Sequence, residues 1–533
     1  MLNEEKEIND SIDTGSAPTP YEAEERSQEE AMDEALSESI AEDEAKIEGA
    51  EHKGASPAEV HTLKKKAVNS VFWRIGEVGG RQIIQLGISI VLARLILPES
   101  FGAVAMLSIF IAIANVFVDS GFSTAIIRKT DRTEADCSTV FWFNIVIAIF
   151  FYGILFLCAP LIADFYEMPI LIPVLRVTAL SIVINSLAGL QRSLLTADMQ
   201  FKALAKFSII SLIISGTVGM IMAYYDFQVW ALVAQTLVAA VINTIFLWWR
   251  SPWHPSLIFS TASFKEFFGF GSKLLASGLL DMIYGNIYSV IIGKVYKAAD
   301  LAYYNRAISL AILTSTNPST ILQSVVYPTL CKLQDSDDAL RNGYRRILRI
   351  AAFIIFPLCL GMGAVAYPLI NTFYTEKWIF AAPLLQIMVF EMMWYPIHAI
   401  NLNLLMVKGR SDLFFRLEII KKIFGIIMLC ITVPIGLEAM CYGGICTSII
   451  ALVINTYYTG KLLNLGFFVQ LRDFWPSLLL SGIMFICLSL LSNILGNNFL
   501  SLIICVSVGI AFYLGSAIIL HRPELQELRQ IRK

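Results

Sequence analysis

The chain is 533 residues long, 56% hydrophobic and only 16% charged, with a mean hydropathy of +0.66. Soluble globular domains carry about 25% charged residues, so a soluble single-core enzyme is excluded and lipid must act as part of the solvent. The net charge of −3 hides an asymmetry: residues 1–60 hold 19 Asp and Glu against 4 Lys and Arg, and a basic body follows.

Residues 1–62 are rich in Glu, Ala, Ser and Asp, with no apolar stretch that would read as a secretory signal. Such a composition cannot offset its ordering entropy and predicts a disordered tail. An arm for a basic partner is the functional alternative. Beyond it, about fourteen apolar segments are long enough to cross ~30 Å of hydrocarbon. They fall near 68–93, 101–119, 137–159, 170–190, 204–224, 228–249, 267–293, 302–327, 347–369, 379–402, 414–435, 438–460, 474–494 and 498–520. Turn and charge signals such as Leu97-Pro98-Glu99, Glu167-Met168-Pro169 and Asn497-Asn498 separate them.

Alternate loops are basic, including Lys64–Lys66, Arg128-Lys129, Arg250, Lys408-Arg410 and Lys461. The opposite loops hold only Arg94, Lys294, Lys297 and Lys377. This bias predicts a cytoplasmic basic side and, with an even number of spans, both termini inside. The outer loops are too short to hold a domain for chemistry. The nine cysteines form no CxxC pair and read as small apolar side chains. No cofactor, metal or nucleic-acid motif is present, and the absence of a Walker A sequence argues against direct ATP use.

Two stretches about 200 residues apart are alike: Ile90-Val91-Leu92-Ala93-Arg94 with Phe101-Gly102-Ala103-Val104, and Val290-Ile291-Ile292-Gly293-Lys294 with Leu301-Ala302-Tyr303-Tyr304. Six spans separate them. The expected architecture is all-α, with two six-helix lobes related by a pseudo-two-fold axis along the membrane normal. The lobes would be residues 63–255 and 256–462, followed by two helices over 463–520 and a cytoplasmic tail over 521–533.

Ionisable residues inside spans are costly and mark interiors or wet cavities. Arg74, Glu77, Arg81 and Gln85 share one stripe of the first span, and Lys273, Ser277, Asp281, Tyr284 and Tyr288 share one of the seventh. Arg306 lies in the eighth; Glu391, Trp394, Tyr395 and His398 share a face of the tenth. Cations suit a pyrophosphate, which nominates Arg74, Arg81, Gln85, Lys273 and Arg306. Glu77, Asp281 and Glu391 are candidate coupling carboxylates for H⁺ or Na⁺. Tyr284, Tyr288, Trp394 and His398 are candidate sugar contacts. Arg74 also reads as a residue snorkelling to head groups, His398 as a packed, hydrogen-bonded histidine, and Lys421 and Lys422 with Glu418 as a local interfacial pair.

A set of segments then carries a family resemblance: Asp119-Ser-Gly-Phe-Ser-Thr-Ala-Ile-Ile-Arg128, Gly269-Phe-Gly-Ser-Lys273, Ile291-Ile-Gly-Lys294 with Leu301-Ala-Tyr-Tyr-Asn-Arg306, Glu376-Lys-Trp378 with Ala382-Pro-Leu-Leu-Gln-Ile387, Gly409-Arg-Ser-Asp412, and Glu418-Ile-Ile-Lys-Lys422. Over about 64–470 the chain resembles the Wzx-type oligosaccharide flippases of the MOP superfamily, near the WzxC and teichuronic-acid-exporter branch. The resemblance implies a V-shaped MOP fold in the bacterial inner membrane. It also implies export of undecaprenyl-pyrophosphate-linked oligosaccharide for capsule, exopolysaccharide or O-antigen synthesis, possible contact with polymerase machinery, and service of the pyrophosphate by Arg74, Arg81 and Arg306. The long acidic start departs from the family's usual short one. The rival readings are a drug or cation antiporter of the same fold, a membrane glycosyltransferase or ligase, and a non-transporting scaffold.

Overall fold

The computed structural model describes residues 80–119, 121–129, 131–198, 200–520, 522–525 and 527, without the side chains of Phe270, Lys273, Ser277, Asp281, Ile321, Ser324 and Val325. The acidic segment, Arg74 and Glu77 lie outside the described residues, as does most of the carboxy-terminal tail.

Every regular element among the described residues is helical. The first runs over 80–95 (α1). It is followed by α2 Pro98–Asp119, α3 Phe122–Arg128, α4 Glu134–Tyr166, α5 Leu171–Thr178, α6 Leu180–Ala197, α7 Phe201–Tyr224, α8 Val229–Arg250 and α9 Thr261–Val295. Then come α10 Ala298–Thr314, α11 Thr316–Lys332, α12 Asp337–Ala364 and α13 Ala366–Tyr374. A 3₁₀ turn over Glu376–Trp378 leads to α14 Ala381–Met392, α15 Tyr395–Val407, α16 Ser411–Thr432, α17 Leu437–Leu463, α18 Phe467–Leu495 and α19 Phe499–Ile519.

Local sequence sets many of these ends. Thr133 Oγ1 accepts from the Asp136 N–H at 3.2 Å, and Asp136 returns the favour to the Thr133 N–H at 3.0 Å, a capping box that starts α4. Ser260, Ser336 and Asn498 cap α9, α12 and α19 in the same way from one side. Glu167 and Asn464 close α4 and α17 in left-handed conformation. Outward side chains such as Leu157, Leu161, Ile494 and Ile519 are mostly exposed, which in a membrane helix is the lipid face.

Ten helices of the described residues are long and apolar enough to span a membrane. The other expected spans fall short for physical reasons. The first lies partly outside the described residues. The eighth breaks at Ser315 into α10 and α11, and the tenth breaks at Met393-Trp394 into α14 and α15. The eleventh, α16, carries Asp412, Arg416, Glu418, Lys421 and Lys422.

The chain divides into two compact units, one reaching Ala302 and one beginning at Tyr303. The sequence repeat assigned the seventh span to the second lobe, whereas α9 packs with α2, α3 and α4 in the first unit. In that unit Phe122, Ile126, Phe141, Leu190 and Phe267 form one core cluster. In the second unit Phe353, Leu480, Met484 and Tyr513 form another, with the Tyr513 hydroxyl donating to the Phe353 carbonyl at 2.9 Å.

Candidate functional site

Transporters place irregular backbone at mid-membrane only where protein or water can satisfy it. The second unit has two such places, and they touch. Ser315, fully buried in the break between α10 and α11, donates its hydroxyl to the carbonyl of Met392, the last residue of α14. Cys359 of α12 donates to the Thr314 carbonyl on the other side of the same break, at 3.6 Å. The α14 break lies about 18 Å along that helix from its start at Ala381, at 1.5 Å per residue.

Glu391 sits on the rim of this break. Its carboxylate fills the notch left by Gly444 of α17: a methyl there would lie 2.1 Å from Oε2. One turn further along α17, Ser448 Oγ donates to the Glu391 carbonyl at 3.3 Å and meets His398 Nε2 at 3.1 Å. Asn455 Nδ2 meets the other imidazole nitrogen at 3.3 Å. Positions 444, 448, 455 and 459 fall on one stripe of α17. At 459 the column continues, with Thr459 donating to Asn401 Oδ1 at 2.6 Å and Asn401 exchanging two 3.0 Å hydrogen bonds with Gln470. His398 is thus tied into a polar column, as its hydrogen-bonded reading expected. Trp394, expected as a sugar contact, instead packs in the core: its ring lies 5.4 Å from Phe356 and 5.6 Å from Phe474, and it is 8% exposed. Lys421 pairs with Glu418, the local pair read from the sequence.

Arg306 occupies an aromatic cage. Its guanidinium lies 4.8 Å from the Tyr374 ring and 5.0 Å from the Trp378 ring. Trp378 is fully buried. The chain reaches it through Thr375, a β-branched residue at φ 74°, a conformation that costs about 1–3 kcal/mol and persists only when its surroundings enforce it. Tyr303 meets Trp378 and Phe380 at 6.0 and 5.7 Å. Two segments that carried the resemblance, around Arg306 and around Trp378, are therefore packed on each other.

The first unit shows a parallel case. Gly121, at φ 68°, brings the α2–α3 joint within 3.0 Å of Gly271 Cα for any added methyl, so the segments around Asp119–Arg128 and Gly269–Lys273 also meet. At the end of that joint the Lys129 ammonium bonds Glu266 and Asp136, each at 3.1 Å; the Glu266 carboxylate holds it above the usual lysine range. Lys273 and Asp281 lie on α9, without described side chains, and Tyr284 and Tyr288 are half-buried on the same helix.

Arg81 is buried, at 9% exposure, and Gln85 is half-buried. Their stripe of α1 runs on through Ile88 and Leu92, which pack with Leu212 and Leu232 of α7 and α8. Arg81 therefore belongs to the interior of its own bundle and not to the lipid face. Arg176 lies over the Phe156 ring at 4.2 Å and donates to its carbonyl at 3.2 Å. Sequence reasoning passed over Ser448, Asn455, Asn401, Thr459 and Gln470. Neutral polar residues in apolar spans give no charge signal, although the 4-7-4 spacing on α17 was readable.

Residues 91–383 match the family described as polysaccharide biosynthesis protein. The chain belongs to that family. It is an all-α, multi-pass membrane protein. Among its relatives, the teichuronic acid biosynthesis protein TuaB of Bacillus subtilis is 28% identical over 57% of this chain and 63% of its own length, so the match spans less than two thirds of that relative. The lipopolysaccharide biosynthesis protein WzxC of Escherichia coli is 24% identical over 68% of this chain and 74% of its own length. Among solved structures, lipid II flippase MurJ in an inward closed conformation superposes with a TM-score of 0.67 at 17% identity, over 84% of this chain and 98% of that one. An inward-facing multidrug resistance MATE transporter of the MOP superfamily gives 0.55 at 15%, over 72% and 95%. The fold is that of the MOP superfamily.

Proposed function

We propose that this family member is a secondary transporter, not an enzyme, that moves a polyprenyl-pyrophosphate-linked oligosaccharide from the cytoplasmic to the outer leaflet of the bacterial inner membrane, for assembly of a surface polysaccharide. The observation that carries this reading is the combination of the family match with Arg81 buried in the interior of its bundle. A buried guanidinium in an apolar span is costly and suits an anionic cargo better than a cationic drug.

The head group enters from the basic side while the prenyl tail stays in lipid, and a rocking motion of two bundles exposes it outside. Moving one charge through 100 mV is worth about 2.3 kcal/mol, so an interior-negative potential favours outward passage of pyrophosphate. Arg81, Gln85, Lys273 and Arg306, with Arg74, serve the phosphates in this reading; Tyr284 and Tyr288 face sugar. Glu391, with Asp281 and Glu77 as alternatives, couples an ion. Both termini are cytoplasmic, and a polymerase receives the product.

In a host deleted for its own exporter of this class, the wild-type chain restores surface glycan. Arg81→Ala and Arg306→Ala insert normally but lose export. Full export by both variants overturns the site.

A further inference from the structure

We infer that Arg346 and Arg349 of α12 form a binding site for the phosphate of an acidic phospholipid, and that the chain's own Glu527 occupies that site as a competing anion. The site requires the membrane fold alone and not the transport reading above. The two arginines stand one turn apart on α12. Glu527 reaches both. One carboxylate oxygen accepts from Arg346 Nε at 3.0 Å, and the other lies 3.9 Å from Arg349 Nη2, too far for a hydrogen bond. Among the described residues, the buried Nε of Arg349 has no hydrogen-bond partner. The carboxylate therefore satisfies one guanidinium and leaves the other underserved. A tetrahedral phosphate presents more oxygens and can meet two guanidinium forks at once.

The neighbouring cations of α12 are committed elsewhere. Arg345 holds Asp473, and Arg341 Nε donates to the Leu463 carbonyl at 2.9 Å. That leaves Arg346 and Arg349 as the pair that meets the tail. Their place argues for a lipid and not a free ion. Ile347, Leu348 and Ile350 interleave with them, at the start of the apolar run of α12. Ile519 and Leu520, the last residues of α19 before the tail, are 76% and 59% exposed, as side chains facing hydrocarbon are. At such a boundary each Lys or Arg adds to the attraction for acidic head groups.

The tail is rooted, and only its tip is loosely held. The Arg522 N–H donates to the Ala517 carbonyl at 3.0 Å, and the Arg522 guanidinium donates to Glu524, a buried carboxylate, at 2.9 Å. Leu525 packs against the core cluster of Phe353 and Tyr513. Glu527, by contrast, has one hydrogen bond, to an arginine whose side chain is 48% exposed, and the longer contact to Arg349. Exposed pairs of this kind contribute little. A head group concentrated at the bilayer surface can therefore displace Glu527 while the root of the tail stays in place, which makes the tip a latch that acidic lipid opens.

The test uses the full chain in nanodiscs of phosphatidylcholine with a rising fraction of phosphatidylglycerol. Deuterium uptake over residues 522–527 reads release of the tip, and native mass spectrometry reads the phosphatidylglycerol that stays bound. Wild-type protein should gain uptake as phosphatidylglycerol rises. Glu527→Gln should show that uptake without acidic lipid and retain about fivefold more phosphatidylglycerol, the weight of one charge at the bilayer surface. Arg346→Ala and Arg349→Ala should also free the tip, yet retain about fivefold less. If Arg349→Ala elutes aggregated, Arg346→Ala carries the comparison. A clasp with a structural role alone would free the tip in all three variants and leave lipid retention unchanged, which overturns the site. So does wild-type uptake that ignores phosphatidylglycerol, or that rises equally with inorganic phosphate in phosphatidylcholine alone.

Discussion

Adding one methyl at Gly102 tests how the two sequence repeats are built together. Its Cβ would lie 1.8 Å from the Ala298 carbonyl oxygen and 2.4 Å from its carbon, far inside van der Waals contact. The obstacle is backbone, so no rotamer change relieves it. Overpacking costs about 1–3 kcal/mol even where side chains can shift, and alanine's better helix propensity returns at most about 1 kcal/mol. The net expectation for Gly102→Ala is a loss of about 2 kcal/mol. In detergent, the temperature at which half the protein leaves the monodisperse size-exclusion peak should fall by several degrees. Gly444→Ala is the internal comparison. There the methyl meets only the carboxylate of Glu391, the far end of a flexible side chain, so the fold should hold while the carboxylate leaves its notch. A Gly102→Ala protein as heat-resistant as wild type would refute the contact between the repeats.

Other perturbations separate structural from functional charges. Arg345 grips Asp473 with two hydrogen bonds of 2.7 and 2.6 Å, and the Asp473 side chain is 4% exposed. Arg345→Ala should cost about 3 kcal/mol by stranding that carboxylate, and Arg345→Met with Asp473→Leu should recover most of it in the same thermal assay. Trp378→Ala should cost about 3–5 kcal/mol through the lost buried indole and release Arg306, whereas Trp378→Phe should retain a folded protein; tryptophan-selective fluorescence and export report the two effects. The Lys129 ammonium is held above its usual range by Glu266. A raised lysine value stabilises the fold at pH values below the unfolded value of about 10.4 and the gain fades as pH climbs through the folded one. Lys129→Gln should therefore melt earlier than wild type at pH 8, with the gap closing as the pH rises past the ordinary lysine range and through the raised value of the folded state.

Much of the fold was readable because spans announce themselves by length and apolarity. The helix breaks were not. Ser315 and Met393 sit in runs that read as continuous, and the interruptions are held by tertiary hydrogen bonds such as Ser315 to Met392. Charge stripes pointed to Arg81 and Glu391 as interior residues, whereas the packing of Trp394 against Phe356 and Phe474 was not legible, because a core aromatic and a sugar platform share one helical face until their neighbours are known. The repeat says which positions are equivalent and not which touch; the approach of Gly102 to Ala298 is seen only in the fold. The family motifs, weak one by one, gain sense as pairs: Gly121 with Gly271, and Arg306 with Trp378.

Spheroplasts of a host lacking its own exporter, fed a radiolabelled sugar and treated with an impermeant glycosidase, give the most direct reading of outward glycan movement. With this chain expressed, label on the lipid-linked glycan should become enzyme-sensitive within minutes, and collapse of the proton-motive force should stop it. Label that stays protected despite correctly inserted protein contradicts transport of a lipid-linked oligosaccharide.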